Sequence, residues 1–267
     1  MKRAKIFTIA AFLIVAAFTT SAFINSASPA KSKSDSKGFA VIELYTSEGC
    51  SSCPPADELV AKIQQENTGK PVYILAYHVD YWNRLGWKDQ FSSADFSKRQ
   101  NDYANFLNIN SVYTPQIVVN GRTEFVGSEE ATLRNAIKAS LQKTPSAQLT
   151  LNTANIDQNH IDLKYTTEGT EKNTVLQIAI LQKSAQTKVL RGENGGRTLS
   201  HVQIVSKLQE ATLKGNSGTT KVSLPHGFDT KNWEITGFLQ NTATGVITAA
   251  ARVSFTGDAV AMAKASK

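Results

Sequence analysis

The feature that most constrains the fold is a pair of cysteines placed between a strand and a helix. Cys50 and Cys53 are the only two cysteines of the chain, and Ser51 and Ser52 separate them. The apolar run "FAVIELYT" before them predicts a buried strand. After Cys53, apolar residues recur every three to four positions, which predicts an amphipathic helix. The pair is therefore expected at a strand-to-helix turn.

The elements that follow have the order of a thioredoxin-like domain. Sequence patterns predict a strand over 71–80, a helix over 93–107, a hairpin of strands 116–119 and 123–126 around Asn120-Gly121, and a helix capped by Ser128. A Thr-Pro step, Thr114-Pro115, precedes the hairpin. This order predicts a thioredoxin-like α/β domain over residues 38–143.

The pattern changes after Pro145. Short segments that alternate apolar and polar residues, with turn residues between them, predict a mostly β, sandwich-like domain over 145–256. A break at 191–210 predicts a loop and a short helix, and a polar tail follows over 257–267. The glycine-rich stretch 192–197 matches no phosphate-binding pattern and is expected to be a mobile loop.

The N-terminus indicates export. Lys2, Arg3 and Lys5 precede the uncharged run "IFTIAAFLIVAAF", and small residues follow, which is the layout of a signal peptide over 1–27. The alternative is an uncleaved membrane anchor over the same residues. A polar leader follows over 28–37. Removing the three basic residues lowers the formal charge from +7 to +4, and without a basic run no nucleic-acid partner is expected. The site of action is thus expected to be periplasmic or secreted.

The cysteine pair suits thiol–disulfide exchange. The attacking species is a thiolate, and a helix N-terminus favours it through unpaired N–H groups and a partial positive charge. Cys50 stands first at the turn and is assigned as nucleophile, with Cys53 as the resolving thiol. Pro54 and Pro55 mark the helix start and are expected to leave the pair on a stiff, partly exposed turn. Protein or small-molecule thiols and disulfides are the expected partners.

The Thr-Pro step is the second expected part of the site. A proline permits a cis peptide bond at modest cost. In a thioredoxin-like fold, a cis-proline loop lies beside the cysteine pair, and the residue before it presents backbone groups to the substrate. Thr114 and Pro115 are therefore expected to bind substrate, and the cis form is favoured over an ordinary strand-initiating proline.

Four motifs resemble a family of exported thioredoxin-like proteins known mainly as a domain of unknown function. They are "ELYTSEGCSSCPPADELV", "LAYHVDYWNRLGWKD", "VYTPQIVVNGRTEFVGS" and "RGENGGRTLSH". The resemblance covers nearly the whole mature chain and implies a thioredoxin-like fold with a β-rich C-terminal part. The Trp-Cys-Gly-Pro-Cys signature of thioredoxin itself is absent, since Ser51 and Ser52 stand between the cysteines.

Four further residues are candidates to support the site. His78 and Asp80 follow the second strand and are expected to form a local hydrogen-bonded pair, or to transfer protons beside the thiols. Glu43 could accept the proton of the buried thiol, or be a hydrogen-bonded structural carboxylate. Trp82, with its aromatic neighbours, fills the core or forms a rim for a partner polypeptide.

Two other functions compete with exchange. The first is a module that binds or delivers copper or zinc through Cys50, Cys53 and His78; the exchange reaction itself needs no cofactor. The second is an adaptor whose disulfide only locks the turn. Arg191, Arg197 and His201 could also reach the thiols from the β-rich region.

Overall fold

The computed structural model describes residues 38–157 and 159–255. The predicted signal peptide and leader (1–37) and the predicted tail (257–267) lie outside them, as does residue 256. The described part is mixed α/β, consists mostly of strands, and forms one compact unit. Within it, no helix is long and apolar enough to cross a bilayer.

The elements before residue 143 follow the predicted order. The strands are β1 (Ala40–Thr46), β2 (Val72–His78), β3 (Gln116–Val119) and β4 (Thr123–Val126). The helices are α1 (Pro54–Glu66), α2 (Ala94–Leu107) and α3 (Glu130–Gln142), with a 3₁₀ turn at Asn83–Leu85. The Ser93 side chain caps α2 by accepting from the Asp95 amide. In α3 the N-cap position is Glu129, whose side chain makes no capping hydrogen bond, and not Ser128 as predicted.

The remaining strands are β5 (Gln148–Ile156), β6 (His160–Glu168), β7 (Thr174–Lys188), β8 (Thr198–Thr212), β9 (Ser217–Ser223), β10 (Trp233–Asn241) and β11 (Ile247–Arg252). The prediction of a short helix within 191–210 was wrong, because those residues form a loop and then β8. The reason is tertiary: β8 pairs with β7 from Thr198 to Thr212, and such pairing outweighs a local helical pattern.

Two sheets organise these strands. The large sheet has the order β11-β10-β7-β8-β2-β1-β3-β4, and the small sheet has the order β5-β6-β9. β2 is parallel to both β1 and β8. The predicted boundary between 143 and 145 falls in the connection from α3 to β5, yet strands from both sides of it share the large sheet.

Apolar cores lie on both faces of the large sheet. On β1, Ile42 and Leu44 pack toward α1 and α3, while Val41 and Tyr45 pack toward α2. This alternation follows from the two-residue period of a strand. Both faces are covered, so β1 is buried along its whole length, as is typical of a central strand between helices. A third core joins the small sheet to β7 and β10.

A buried ion pair crosses from β1 to α2. Arg99 Nε lies 2.6 Å from Glu43 Oε2, and Arg99 Nη2 lies 3.0 Å from Glu43 Oε1. The Tyr103 hydroxyl donates to the same carboxylate. Arg99 also donates to Gln240 Oε1 on β10 at 3.1 Å, so this one side chain links α2, β1 and β10.

We predict that Arg99→Met lowers the free energy of unfolding by roughly 3–5 kcal/mol, because it leaves the Glu43 carboxylate buried without a counter-charge. Urea denaturation at neutral pH measures the loss. The neighbouring exposed Lys98, paired with Asp102, is the control, and Lys98→Met should cost less than about 1 kcal/mol. Equal losses of unfolding free energy in the two variants would contradict the role of Arg99 as the counter-charge of Glu43.

Candidate functional site

The two cysteines form a disulfide at the N-terminus of α1. Cys53 is the N-cap residue, and Pro54 and Pro55 are the first two residues of the helix. The Cys53 carbonyl accepts from the Ala56 amide at 2.9 Å. The tandem prolines lack N–H groups, but the N–H groups of the first helical turn have no acceptor within the helix. The prolines therefore cost α1 no intrahelical hydrogen bond. The pair thus lies between β1 and α1, as the sequence predicts.

The Thr114–Pro115 loop lies against the first cysteine. The Thr114–Pro115 peptide bond is cis, in agreement with the expectation from the sequence. The Thr114 carbonyl oxygen is 3.8 Å from Cys50 Sγ and 3.5 Å from Ser52 Oγ. Trp82 Nε1 donates to Thr114 Oγ1 at 2.8 Å. Three segments that are distant in sequence therefore meet at the disulfide.

The loop of residues 191–197, called here the covering loop, lies over the cysteine turn. Asn194 is fully buried, and its Nδ2 donates to the carbonyl oxygens of Glu48 and Cys50, each at 2.9 Å. Glu193 Oε2 accepts from the Ser51 amide at 3.0 Å. The cysteine turn is partly exposed, as expected: Ser51 and Ser52 are exposed, whereas Cys50 and Cys53 themselves are fully buried.

The three candidates from the β-rich region have different places. His201 reaches the neighbourhood of the cysteine turn, where its Nε2 lies 3.4 Å from Glu48 Oε1. Arg197 supports the covering loop by donating from Nη1 to Asn194 Oδ1 at 2.8 Å. Arg191 is exposed.

A cluster of buried acids and histidines lies next to the disulfide. His78 Nδ1 lies 2.7 Å from Asp89 Oδ2, so the prediction of a His78–Asp80 pair was wrong. Asp80 instead accepts from the Ser97 hydroxyl at 2.5 Å. The rings of His78 and His201 lie 4.8 Å apart, centre to centre.

Two carboxylates approach His201 in this cluster. Besides Glu48, Asp57 places its Oδ2 3.9 Å from His201 Nδ1. Asp57 is in the first turn of α1, and its amide donates to the Cys53 carbonyl at 3.2 Å. Glu48 also accepts from Trp87 Nε1 at 2.7 Å. Acids therefore flank the disulfide on both sides in sequence, and both carboxylates face the same histidine.

Several polar atoms of the cluster lack hydrogen bonds. Among the described residues, these buried atoms are His78 Nε2, both ring nitrogens of His201, and Glu48 Oε1. Buried polar groups in folded proteins are normally paired, so unpaired ones carry a cost and mark sites of function or strain. The cluster is therefore better suited to chemistry than to stability.

Burial changes the acidity of two of these groups. Burial raises the pKa of Asp57 to about 7, although the charge of His201 and a hydrogen bond from Thr46 oppose the change. Burial also favours a higher pKa for Asp89. This effect is outweighed by the charge of His78, its hydrogen bond, and the hydrogen bond from the backbone amide of Glu48, which together hold the pKa of Asp89 below its ordinary value. Asp57 thus binds and releases a proton near neutral pH.

The other two predicted support residues have structural contacts. Glu43 is engaged by Arg99 and Tyr103 in the ion pair described above, so its carboxylate is not available as the proton acceptor of a thiol. Trp82 is half-buried beside Gly49, where an added Cβ would come within 3.1 Å of the Trp82 Cβ. Gly49 thereby lets the cysteine turn approach the indole closely.

Sequence reasoning missed Glu48, Asp57, Asp89 and Asn194 as members of the site. Asp57 carries a usable signal: it is four residues after Cys53 and therefore shares its helix face. Its position near the helix start suggests by itself only an acid suited to the helix dipole. The other three occupy loops, and no local pattern links them to the cysteines. Within 38–157 and 159–255, no group of three or more His, Cys, Asp or Glu side chains has an arrangement that could hold a metal ion.

Comparison with known proteins assigns the family. Residues 41–240 match a family described as "Protein of unknown function (DUF1223)". The chain belongs to this DUF1223 family. This confirms the resemblance to a family of unknown function, while its thioredoxin-like character stays a prediction. A comparison with curated proteins finds no match.

Solved structures include an informative relative of this DUF1223 protein. A crystal structure of an Agrobacterium tumefaciens protein is 27% identical with a TM-score of 0.64, over 80% of this chain and 92% of that chain. A domain of the outer membrane lipoprotein Omp28 from Porphyromonas gingivalis is 14% identical with a TM-score of 0.25, over 42% of this chain and 90% of that chain. The second similarity is too low to support an argument.

We predict that Asn194→Ala speeds reduction of the disulfide by dithiothreitol on the order of tenfold. The substitution removes two hydrogen bonds of about 1 kcal/mol each that hold the covering loop on the cysteine turn, and about 1.4 kcal/mol corresponds to a factor of ten. Quenching with a thiol reagent and mass spectrometry measure the rate. The exposed Asn101→Ala is the control. Unchanged kinetics in Asn194→Ala would show that the loop does not restrict access.

We predict that Asp57→Asn becomes more stable relative to wild type as pH rises from about 4 to 7. A raised native pKa means that the wild type gains stability from a protonated Asp57 at low pH and loses it as pH rises through the native value. When the pKa of a group differs by one between the folded and unfolded states, the free energy of unfolding changes by about 1.4 kcal/mol. Urea denaturation of both proteins at several pH values measures the difference, and a difference that does not vary with pH contradicts it.

Proposed function

We propose that this DUF1223 protein is an exported thiol–disulfide oxidoreductase that uses Cys50 and Cys53. The observation that carries the proposal is a disulfide at the N-terminus of α1 with the Thr114 carbonyl oxygen 3.8 Å from Cys50 Sγ. Two cysteines at this spacing close a loop too short to stabilise a chain of this size appreciably. A cysteine pair placed in this way is better explained by a role in thiol–disulfide exchange than by a structural disulfide that stabilises the fold.

We assign residues 38–143 to a thioredoxin-like domain. The support is the order β1-α1-β2-α2-β3-β4-α3, with α1 and α3 packed on one face of the strands and α2 on the other. The cis-proline loop beside the cysteine pair is the second support. In this assignment, the Thr114 backbone would align a substrate chain next to Cys50.

The reaction with a thiol substrate proceeds in two displacements. A substrate thiolate attacks Cys50 Sγ, the bond between the two cysteine sulfurs breaks, and Cys53 leaves with the electron pair as a thiolate that takes up a proton. A second substrate thiolate then attacks the substrate sulfur of the mixed disulfide. It releases Cys50 as a thiolate and leaves the substrate as a disulfide, so the substrate loses two electrons and the cysteine pair gains them.

The opposite direction uses the same atoms. With the pair reduced, the Cys50 thiolate attacks a substrate disulfide, and Cys53 resolves the mixed intermediate. The partial positive charge at the N-terminus of α1 stabilises the Cys50 thiolate in both directions. Asp57, with a pKa of about 7, is available to exchange the proton of the neighbouring Cys53. The direction of electron flow then depends on the partner.

The proposed place of action is the periplasm or the exterior of the cell. Its support is the charged start and apolar run of the first 27 residues. Disulfides persist in such compartments. An uncleaved N-terminus would keep the same domain at a membrane surface.

We predict that Cys50→Ser and Cys53→Ser abolish turnover of glutathione-linked peptide disulfides and of insulin. Cys53→Ser should additionally accumulate a mixed disulfide at Cys50, because the resolving thiol is missing. Mass spectrometry of the trapped species measures this. Ser206→Ala, on the exposed part of β8, is the control and should keep full activity.

The same experiment separates the competing functions. Copper and zinc content is measured for the reduced protein, for Cys50→Ser and for His78→Ala. If the wild type binds stoichiometric metal and shows no turnover, and both variants lose the metal, then metal binding replaces thiol–disulfide exchange as the proposed function. The third possible result is that the protein shows no turnover and no bound metal, and that reductants do not open its disulfide in the folded state. This result would support an adaptor with a structural disulfide.

A further inference from the structure

Two loops beside the disulfide form one continuous surface. Gln90 Nε2, in the loop after the 3₁₀ turn, donates to Thr187 Oγ1 near the end of β7 at 2.8 Å. A Cβ added to Gly192 would lie 3.2 Å from the Trp87 Cβ and 3.5 Å from the Leu85 carbonyl oxygen. Segments 83–90 and 187–192 are therefore in direct contact.

This surface exposes large apolar side chains. Leu85 is 48% exposed and Leu190 is 65% exposed, and each comes from one of the two contacting loops. Val126 is the one other large hydrophobic residue exposed in the described part of the chain. A concentration of exposed apolar residues next to a reactive site is typical of a contact surface for a partner.

The same surface is positively charged. Arg84 and Lys88 in the first loop and Lys188 and Arg191 in the second are exposed, and none of the four has an ion pair with another described residue. The acid of the first loop, Asp89, is buried against His78. We call these four cations with Leu85 and Leu190 the basic rim.

The basic rim is continuous with the cysteine turn. Arg191 begins the covering loop, in which Glu193 accepts from the Ser51 amide and Asn194 holds the Cys50 carbonyl. A chain lying on the rim would therefore extend directly toward Cys50. A small thiol needs no such contact, since it carries neither large apolar groups nor several like charges.

We propose that the basic rim docks an acidic polypeptide segment with apolar side chains, whose cysteine exchanges with Cys50. Charge complementarity selects the acidic partner and steers its approach, and the two leucines supply apolar contact. The inference rests on the proposed thiol–disulfide exchange and specifies its substrate class as polypeptide. The exchange step is the attack of the substrate thiolate on Cys50 Sγ described above, with Cys53 leaving as thiolate.

The test uses oxidised full-length protein and two synthetic peptides. Both carry one cysteine and two leucines; one has four glutamates and the other has four lysines at the same positions. Opening of the Cys50–Cys53 disulfide is followed by mass spectrometry at low and high salt, with glutathione as a third reagent. The variants are Arg84→Glu/Arg191→Glu and Leu85→Ser, with Lys164→Glu as an exposed control on β6.

We expect the glutamate peptide to react about tenfold faster than the lysine peptide at low salt, with the difference falling at high salt. Arg84→Glu/Arg191→Glu leaves two cations and two anions on the rim and should abolish this preference, Leu85→Ser should slow both peptides, and Lys164→Glu should have no effect. The rate with glutathione should change less than about twofold in Leu85→Ser, because the apolar contact and the steering act on the larger, multiply charged partner.

Three outcomes would overturn the docking proposal. Equal rates for the two peptides would do so, as would a change in Lys164→Glu as large as that in the double variant. Binding to vesicles of phosphatidylglycerol in preference to the glutamate peptide would replace the polypeptide by a lipid surface. In each case the proposed thiol–disulfide exchange still stands if glutathione reacts normally. If glutathione fails to open the disulfide in wild type and in Asn194→Ala, both the docking proposal and the proposed function are overturned.

Discussion

The site depends on the pairing of β8 with β2. Ala76 and Ile204 pair in parallel, so a strand from the β-rich region lies directly beside the central strands. His201 is three residues before the pairing position, and the covering loop immediately precedes β8. Without this pairing, the cysteine turn would have neither its histidine nor its cover. The β-rich region therefore contributes residues to the site.

The cost of this arrangement is buried charge. Glu48, His78 and His201 lie beside Asp57 and Asp89, and these first three residues have buried atoms without hydrogen bonds, which a fold selected for stability alone would avoid. By contrast, Glu43 on β1 is engaged by both Arg99 and a tyrosine hydroxyl. The same strand thus carries a satisfied ion pair that holds α2 and β10, and the turn at its end carries Glu48, which faces His201 beside the disulfide.

Local patterns predicted much of this fold. The order and type of the elements up to residue 142, the Asn120-Gly121 turn and the cis bond before Pro115 follow from periodicity, turn chemistry and proline. The contacts that complete the site do not. His78 pairs with Asp89 across a loop, Asn194 reaches Cys50 from 144 residues away, and β8 becomes a strand because β7 is available to pair with it. Such contacts depend on tertiary packing, which a single sequence does not encode locally.

The central claim is that the positive end of α1 prepares Cys50 for exchange. The most direct measurement is the rate of alkylation of Cys50 against pH in reduced Cys53→Ser protein, with Asn194→Ala added so that reagent reaches the thiol. We predict a half-maximal rate well below about pH 8.5, the value near which a free cysteine thiol ionises. A half-maximal rate at or above that pH would contradict the claim.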